Sequence, residues 1–161
     1  PPPLWLAAGR PESLAYAARE GYNLFLDQFQ TIDVIFERLA IFKQALAKAG
    51  RVYDPLGVAV ARGLVITRTD EEREDAIVKR IQHLAMMNAF GRSTDGKTQS
   101  SMVSDANLRK ASEDGLLIGT PDDIIARLQR MAKEGIDYVL LSTRTQESLR
   151  DFAKEVLPIF T

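Results

Sequence analysis

Apolar residues come along this chain in short runs that alternate with longer stretches of helical period. Leu4 to Ala8 is an apolar run closed by Gly9, and Pro11 to Glu20 then sets Leu14, Ala17 and Ala18 on one helical face before Gly21. Tyr22 to Leu26 is a second run. Thr31 follows as an N-cap for a long helix with Ile35, Leu39, Phe42 and Leu46 on one side and Gly50 at its stop. Gly57 to Thr67, rich in Val and Ile, predicts a third strand. After it Thr69-Asp70-Glu71-Glu72 opens a helix that carries Ile77, Ile81 and Leu84 and fades past Ala89. A weak helix is expected around Asp105 to Ser112. A stronger one has Thr120 as N-cap, Pro121 at its first position, Asp122 and Asp123 in the first turn, Ile125, Leu128 and Ala132 inward, and Gly135 past its end. Ile136 to Leu141 is the fourth strand, and Gln146 to Leu157 a closing helix ended by Pro158.

Four strands alternating with helices imply parallel pairing through right-handed crossovers. A weak internal echo supports repeated units. Gly9-Arg10-Pro11-Glu12 leads to Gly21 as Gly119-Thr120-Pro121-Asp122 leads to Gly135. Within its 161 residues the chain holds four such units. A closed (β/α)₈ barrel needs roughly 200 to 250 residues, so the expectation is half of one.

Composition narrows the chemistry. Lys+Arg 21 against Asp+Glu 22 gives no basic stripe, which disfavours nucleic acid and anionic membranes as partners. With no Cys and one His, His83, thiolate nucleophiles, disulfides, Cys-ligated zinc and multi-His metal sites drop out, and no metal site is expected. A bound cofactor is then the expected source of reactive atoms. No run reaches the ~18 apolar residues of a membrane span. The opening Pro1-Pro2-Pro3-Leu4-Trp5 lacks the plan of a signal peptide, so a cytoplasmic location is expected, and the absence of a starting Met suggests a processed or trimmed piece. Gly115 to Thr120 is not a phosphate-binding P-loop, since no Lys follows Gly119.

Pro2-Pro3-Leu4-Trp5-Leu6-Ala7-Ala8-Gly9-Arg10-Pro11-Glu12-Ser13, with Ala17-Ala18-Arg19-Glu20-Gly21, resembles the middle of the luciferase-like flavin-dependent monooxygenases. Gly119-Thr120-Pro121-Asp122-Asp123, Gly135-Ile136-Asp137-Tyr138-Val139-Leu140-Leu141 and Phe152-Ala153-Lys154-Glu155-Val156-Leu157-Pro158 are similar to the end of the same family. The resemblance implies an α/β (TIM) barrel of which residues 1–161 are the C-terminal half. It also implies reduced FMN as cofactor, or a reduced deazaflavin in a sister branch, with O₂ and a small organic substrate. A flavin reductase is an implied partner, and either a homo-oligomer or pairing with an N-terminal half. The alternatives are a deazaflavin-dependent oxidoreductase and a non-catalytic half-barrel or interaction domain.

Carried over by position, Gly9, Arg10, Pro11, Glu12 and Ser13 match the loop that cradles the flavin phosphate. Amides at a helix start, a glycine, a hydroxyl and the Arg10 guanidinium suit an anion, whereas the Glu12 carboxylate opposes it. Taken alone, the same residues read as an ordinary strand-to-helix turn. The competing helix start at Thr120 is disfavoured for phosphate by Asp122 and Asp123. Arg62 matches a position where family members carry a pocket-facing arginine, and is the one catalytic candidate. A paired or outward arginine is the alternative, and Leu64 stands where some relatives place a histidine. Ser142, Thr143 and Arg144 are candidates for ligand contact. Trp5, Phe25 and Tyr138 are expected in the core, and His83 in solvent. Residues 91–104, poor in apolar side chains, are expected to form a mobile loop serving as a lid over the pocket.

Overall fold

Gly21 lies at φ 79°, where a glycine ends a helix without strain, and turns α1 (Pro11–Glu20) back into β2 (Asn23–Leu26). The computed structural model describes residues 2–91 and 103–161. Before α1 stands β1 (Trp5–Ala7). After β2 come α2 (Ile32–Lys48), β3 (Val58–Ile66), α3 (Asp70–Gly91), α4 (Leu108–Asp114), β4 (Leu116–Gly119), α5 (Pro121–Glu134), β5 (Tyr138–Ser142) and α6 (Gln146–Asp151). The expected caps form. The Thr31 hydroxyl accepts from the Val34 amide, and Thr120 and Asp123 cap one another reciprocally at the start of α5.

All strand pairs are parallel, and among the described residues there are five strands, not four. The added one, β4, is the run Leu116-Leu117-Ile118 between two glycines. It is buried on both faces, so it carries no alternation by which to recognise a strand. β3 is the long central strand. Along one edge it pairs first with β2, through Val60↔Leu26, and then with β4 from Gly63↔Leu116. Along the other edge it pairs with β5 from Ala59↔Tyr138 to Gly63↔Ser142. The weak helix expected near Asp105 is a single 3₁₀ turn, Asp105–Asn107, running into α4. The closing helix keeps its place but loosens into a π turn over Phe152–Val156 and a 3₁₀ turn over Leu157–Ile159. The lid expected within residues 91–104 falls largely outside the described residues.

The outer face of the sheet is dry. Leu24, Leu26, Val58, Val60, Leu64 and Leu117 pack against Leu14 and Ala18 of α1, Ile35, Leu39 and Phe42 of α2, and Ile124 and Met131 of α5. Each fully buried Leu or Ile there contributes about 1.5–3 kcal/mol. The inward stripe of α5 is rotated from expectation: Ile124 and Met131 are buried while Ala132 is exposed. The Pro121 start and Thr120 cap set that rotation, and Leu128 lies between the two stripes.

Among the described residues the inner face is covered at its C-terminal end, where Ile77 and Ile81 of α3 pack on Val65, Leu116 and Ile118. Nearer the N-terminal ends of the strands, Trp5 and Tyr138 are 38% and 46% exposed, and Leu140 is exposed beside them. Their rings meet edge to face at 5.8 Å. The core placement expected for Trp5 and Tyr138 is therefore corrected. They sit exposed on the inner face of the sheet, where no described residue across from them completes a core, while Phe25 is half-buried.

Candidate functional site

Because every strand runs the same way, the segments after β1, β2, β3 and β5 all emerge on one rim, the end at which β/α barrels carry their chemistry. Two features share it: the loop at Gly9–Ser13, and a cleft of about 640 Å³ between α3, the end of β3 and the segment after β5.

At the loop, Arg10 is the N-cap of α1, exposed and without an ion pair among the described residues. Pro11 has no amide proton, so the free donors at this helix start are the Glu12 and Ser13 amides. The Ser13 hydroxyl is already engaged, accepting from the Arg10 amide at 3.2 Å and donating to the Arg10 carbonyl at 2.9 Å. It fixes the turn rather than offering a free donor. Behind the loop lies Arg38, buried and paired with the Asp27 carboxylate at the end of β2. A Cβ at Gly9 would stand 3.0 Å from Arg38 Nη1, so the missing side chain lets the loop close over that guanidinium. With Arg10 free in front, two amides pointing outward and Arg38 behind, the loop fits an anion such as a phosphate, although the exposed Glu12 carboxylate works against it. Sequence reasoning missed Arg38. Its signal was a charge three residues after Ile35, on the buried face of α2.

The cleft has an apolar floor, including Val65, Ala76 and Leu116, beneath charged walls. Gly63 lets Leu116 close onto β3, since a Cβ there would lie 2.7 Å from Leu116 Cδ2. Ser142, Thr143 and Arg144, singled out from sequence, all line it. His83 does too, half-buried instead of solvated, which corrects the expectation. The apolar face of α3 runs through Ile77, Ile81 and Leu84, and His83 follows Arg80 on the neighbouring stripe, which lines the cleft opposite the end of β5. Burial holds the His83 imidazole below its ordinary pKa, and the positive charges of Arg80 and Arg144 push the same way. Arg80 is lowered by burial and by Arg144. Its Nη2 donates to the Gln28 carbonyl at 3.1 Å, its guanidinium lies 5.6 Å from the Phe29 ring centre, and its buried Nε has no partner among the described residues.

Arg62 lies outside the cleft lining. It shares the outer face of β3 with Val60 and Leu64, at the point where pairing with β2 has ended and pairing with β4 has yet to begin. There it is 0% exposed, and its Nη1 donates to the Asp27 carbonyl at 3.0 Å and the Ala61 carbonyl at 3.1 Å. Burial pulls its pKa down to about 10, against the opposing pull of Asp27 and Asp114. Among the described residues no group of three or more His, Cys, Asp or Glu side chains is placed to hold a metal. No helix there is long and apolar enough to cross a membrane.

A parallel sheet with helices on its outer face and a cleft at the C-terminal rim defines part of a β/α-barrel enzyme fold. The chain belongs to the luciferase-like monooxygenase family, whose model matches residues 1–138. Its fold is similar to that of the monooxygenase RslO1 from Streptomyces bottropensis (TM-score 0.68, 19% identity, 99% of this chain and 49% of that one). It is also similar to the oxygenating constituent of 3,6-diketocamphane monooxygenase from Pseudomonas putida, solved with FMN (0.64, 17%, 98% and 48%). An F420-dependent secondary alcohol dehydrogenase holding an F420-acetone adduct gives 0.64 at 12% identity over 99% and 48%. The chain thus spans about half the length of the structures it matches. No curated protein matches it.

Proposed function

We propose that this chain is the flavin-binding half of a luciferase-like monooxygenase that uses reduced FMN and O₂ to oxygenate a small organic substrate. The observation that carries the reading is the Gly9–Ser13 loop, with its free Arg10 and outward amides, on the same rim as the apolar-floored cleft. Gly9, Arg10, Pro11, Glu12 and Ser13 form the phosphate end of the flavin site, Arg10 and the Glu12 and Ser13 amides making the contacts while the Ser13 hydroxyl holds the turn. Reduced FMN would supply the electrons with which one atom of O₂ enters the substrate and the other leaves as water. The protein's part is to fix the phosphate, to shield the cleft and to position the substrate there. Arg62 takes a structural role, fastening the end of β2 to β3. The bare inner face around Trp5, Tyr138 and Leu140 calls for a cover, either an N-terminal half-barrel or another copy of the chain. A flavin reductase supplies the reduced cofactor, in the cytoplasm.

The likeness to the F420-dependent dehydrogenase favours a second reading, a deazaflavin-dependent oxidoreductase with the same phosphate loop. Oxygen uptake coupled to a flavin reductase supports the first reading, and deazaflavin reduction by a candidate substrate the second. If neither cofactor binds, the chain is a non-catalytic half-barrel.

Arg10→Ala tests the loop directly. Losing one charge-assisted contact to phosphate is expected to weaken reduced-FMN binding about tenfold or more, read by quenching of Trp5 fluorescence, while riboflavin binding stays unchanged. Equal FMN affinity in the variant would remove the phosphate from this loop.

A further inference from the structure

We propose that the cleft recognises the carboxylate of a small, otherwise apolar acid, with Arg80 and Arg144 as the anion-binding pair and His83 beside them. The proposal rests on reading this rim as the active site and names the substrate class that the site takes.

The cleft joins two properties. Its floor is hydrocarbon, including Val65, Ala76 and Leu116, and so suits an apolar body. Its wall carries four cations, Arg68, Lys79, Arg80 and Arg144, against four carboxylates, and Arg80 and Arg144 are the cations with no ion pair among the described residues. Arg80 projects from α3 with its buried Nε unpartnered, and Arg144, from the segment after β5, has no hydrogen bond or ion pair among the described residues. Like charges brought together without a counter-ion disfavour one another, and the charges acting on Arg80 and His83 are positive ones. An oxyanion between them would relieve that repulsion and give the Arg80 Nε an acceptor.

The cleft's carboxylates are mostly committed elsewhere. Asp75 pairs with Lys79, Asp151 with Arg68, and Glu72 accepts the Arg68 amide. Glu147, in the first turn of α6, is the acid left without a partner among the described residues. It is not among the charges that act on Arg80 or His83. A carboxylate and the cofactor's phosphate are both oxyanions, but the Gly9–Ser13 loop already offers the phosphate its donors, which leaves the arginine pair to the substrate.

The full chain carries one histidine, so the His83 imidazole gives a single NMR signal from inside the site. Benzoate serves as the probe and benzamide as its neutral counterpart, without flavin present. The groups facing His83 are Lys79 and Arg80 on its own helix and Arg144, Glu147 and Asp151 across the cleft. Benzoate is expected to raise the His83 pKa, because an added negative charge favours the imidazolium. Benzamide should leave it in place. Arg144→Ala removes an exposed, unpartnered side chain and is expected to weaken benzoate binding about tenfold, with Arg144→Lys recovering part of it and Arg144→Glu abolishing it.

The proposal is overturned if benzoate and benzamide act alike, or if Arg144→Glu binds benzoate as the wild type does. It is also overturned if Arg144→Ala weakens reduced FMN while sparing riboflavin, which would place the cofactor's phosphate at these arginines. Benzoate binding that persists in a chain unable to bind any flavin keeps the anion site and removes only the monooxygenase reading, so the two fail separately.

Discussion

Gly115→Ala is expected to destabilise the fold by about 3 kcal/mol, the upper end of what an overpacked methyl costs. Its φ of −78° is ordinary, so the defect is one of space alone. A Cβ there would lie 2.4 Å from the Ala111 carbonyl oxygen, 3.1 Å from that of Phe29 and 3.2 Å from that of Gln30. None of the three is a flexible side chain. Ala111 belongs to α4, and its oxygen accepts the Gly115 amide at 2.8 Å. Phe29 and Gln30 sit in a turn pinned by the Asp27 carboxylate, which accepts both their amides, at 2.8 and 3.0 Å. One residue earlier, the Asp114 carboxylate accepts the Ile32 amide at 2.7 Å, so the whole junction is tied to the start of α2. Gly50→Ala is the control. There φ is 68° but nothing lies within 4 Å, so only the left-handed backbone is penalised, by about 1 kcal/mol. Urea unfolding with an unchanged slope should show midpoints ordered wild type, Gly50→Ala, Gly115→Ala. Equal midpoints for the two variants would mean that α4 and β4 do not meet the β2–α2 turn as described.

What could be read from sequence followed local signals. The caps at Thr31 and Thr120, the glycine stops and the faces of α1 and α2 were all legible, because each depends on residues within one or two turns. β4 was not. Its strand character comes from pairing Leu116 to Gly119 with Gly63 to Ile66, some fifty residues away, and a three-residue apolar run has no period of its own. The site divides the same way. The Gly9–Ser13 loop and the Ser142–Arg144 segment lie at strand ends, so their place on the rim was legible, while the phosphate role of the first came from the family resemblance. Arg80 and His83 lie within a helix, and their relevance depends on α3 crossing the inner face of the sheet, which no local pattern encodes. Trp5 and Tyr138 looked like core residues because apolar strand residues usually are. The inner face of half a barrel is where that rule fails.

Two arginines meet at Asp27, and their loss is expected to act with opposite sign. Arg38 and Asp27 form an ion pair whose side chains are 10% and 18% exposed. Arg38→Met leaves one carboxylate oxygen without its cation in a largely dry place, and should lose about 3 kcal/mol. Because Arg38 also backs Gly9, the same variant should loosen the Gly9–Ser13 loop and, if the proposed phosphate site lies there, weaken reduced-FMN binding. Arg62 is different. It contacts Asp27 only through the backbone carbonyl, its Nε and Nη2 are buried without partners, and its removal orphans no charge. Arg62→Met, similar in reach and apolar, is expected to raise stability by about 1–2 kcal/mol at neutral pH. The sign follows from the lowered pKa. Below about 10 the guanidinium is charged in both folded and unfolded chains, and the cost of burying that charge is fully present. Above it the folded form gives up its proton first, so the cost fades and the advantage of the methionine variant should shrink. Thermal and urea unfolding at pH 7 and near pH 10.5 measure both effects. A fall in turnover with stability intact would make Arg62 a substrate contact, and the fastening role assigned to it here would be wrong.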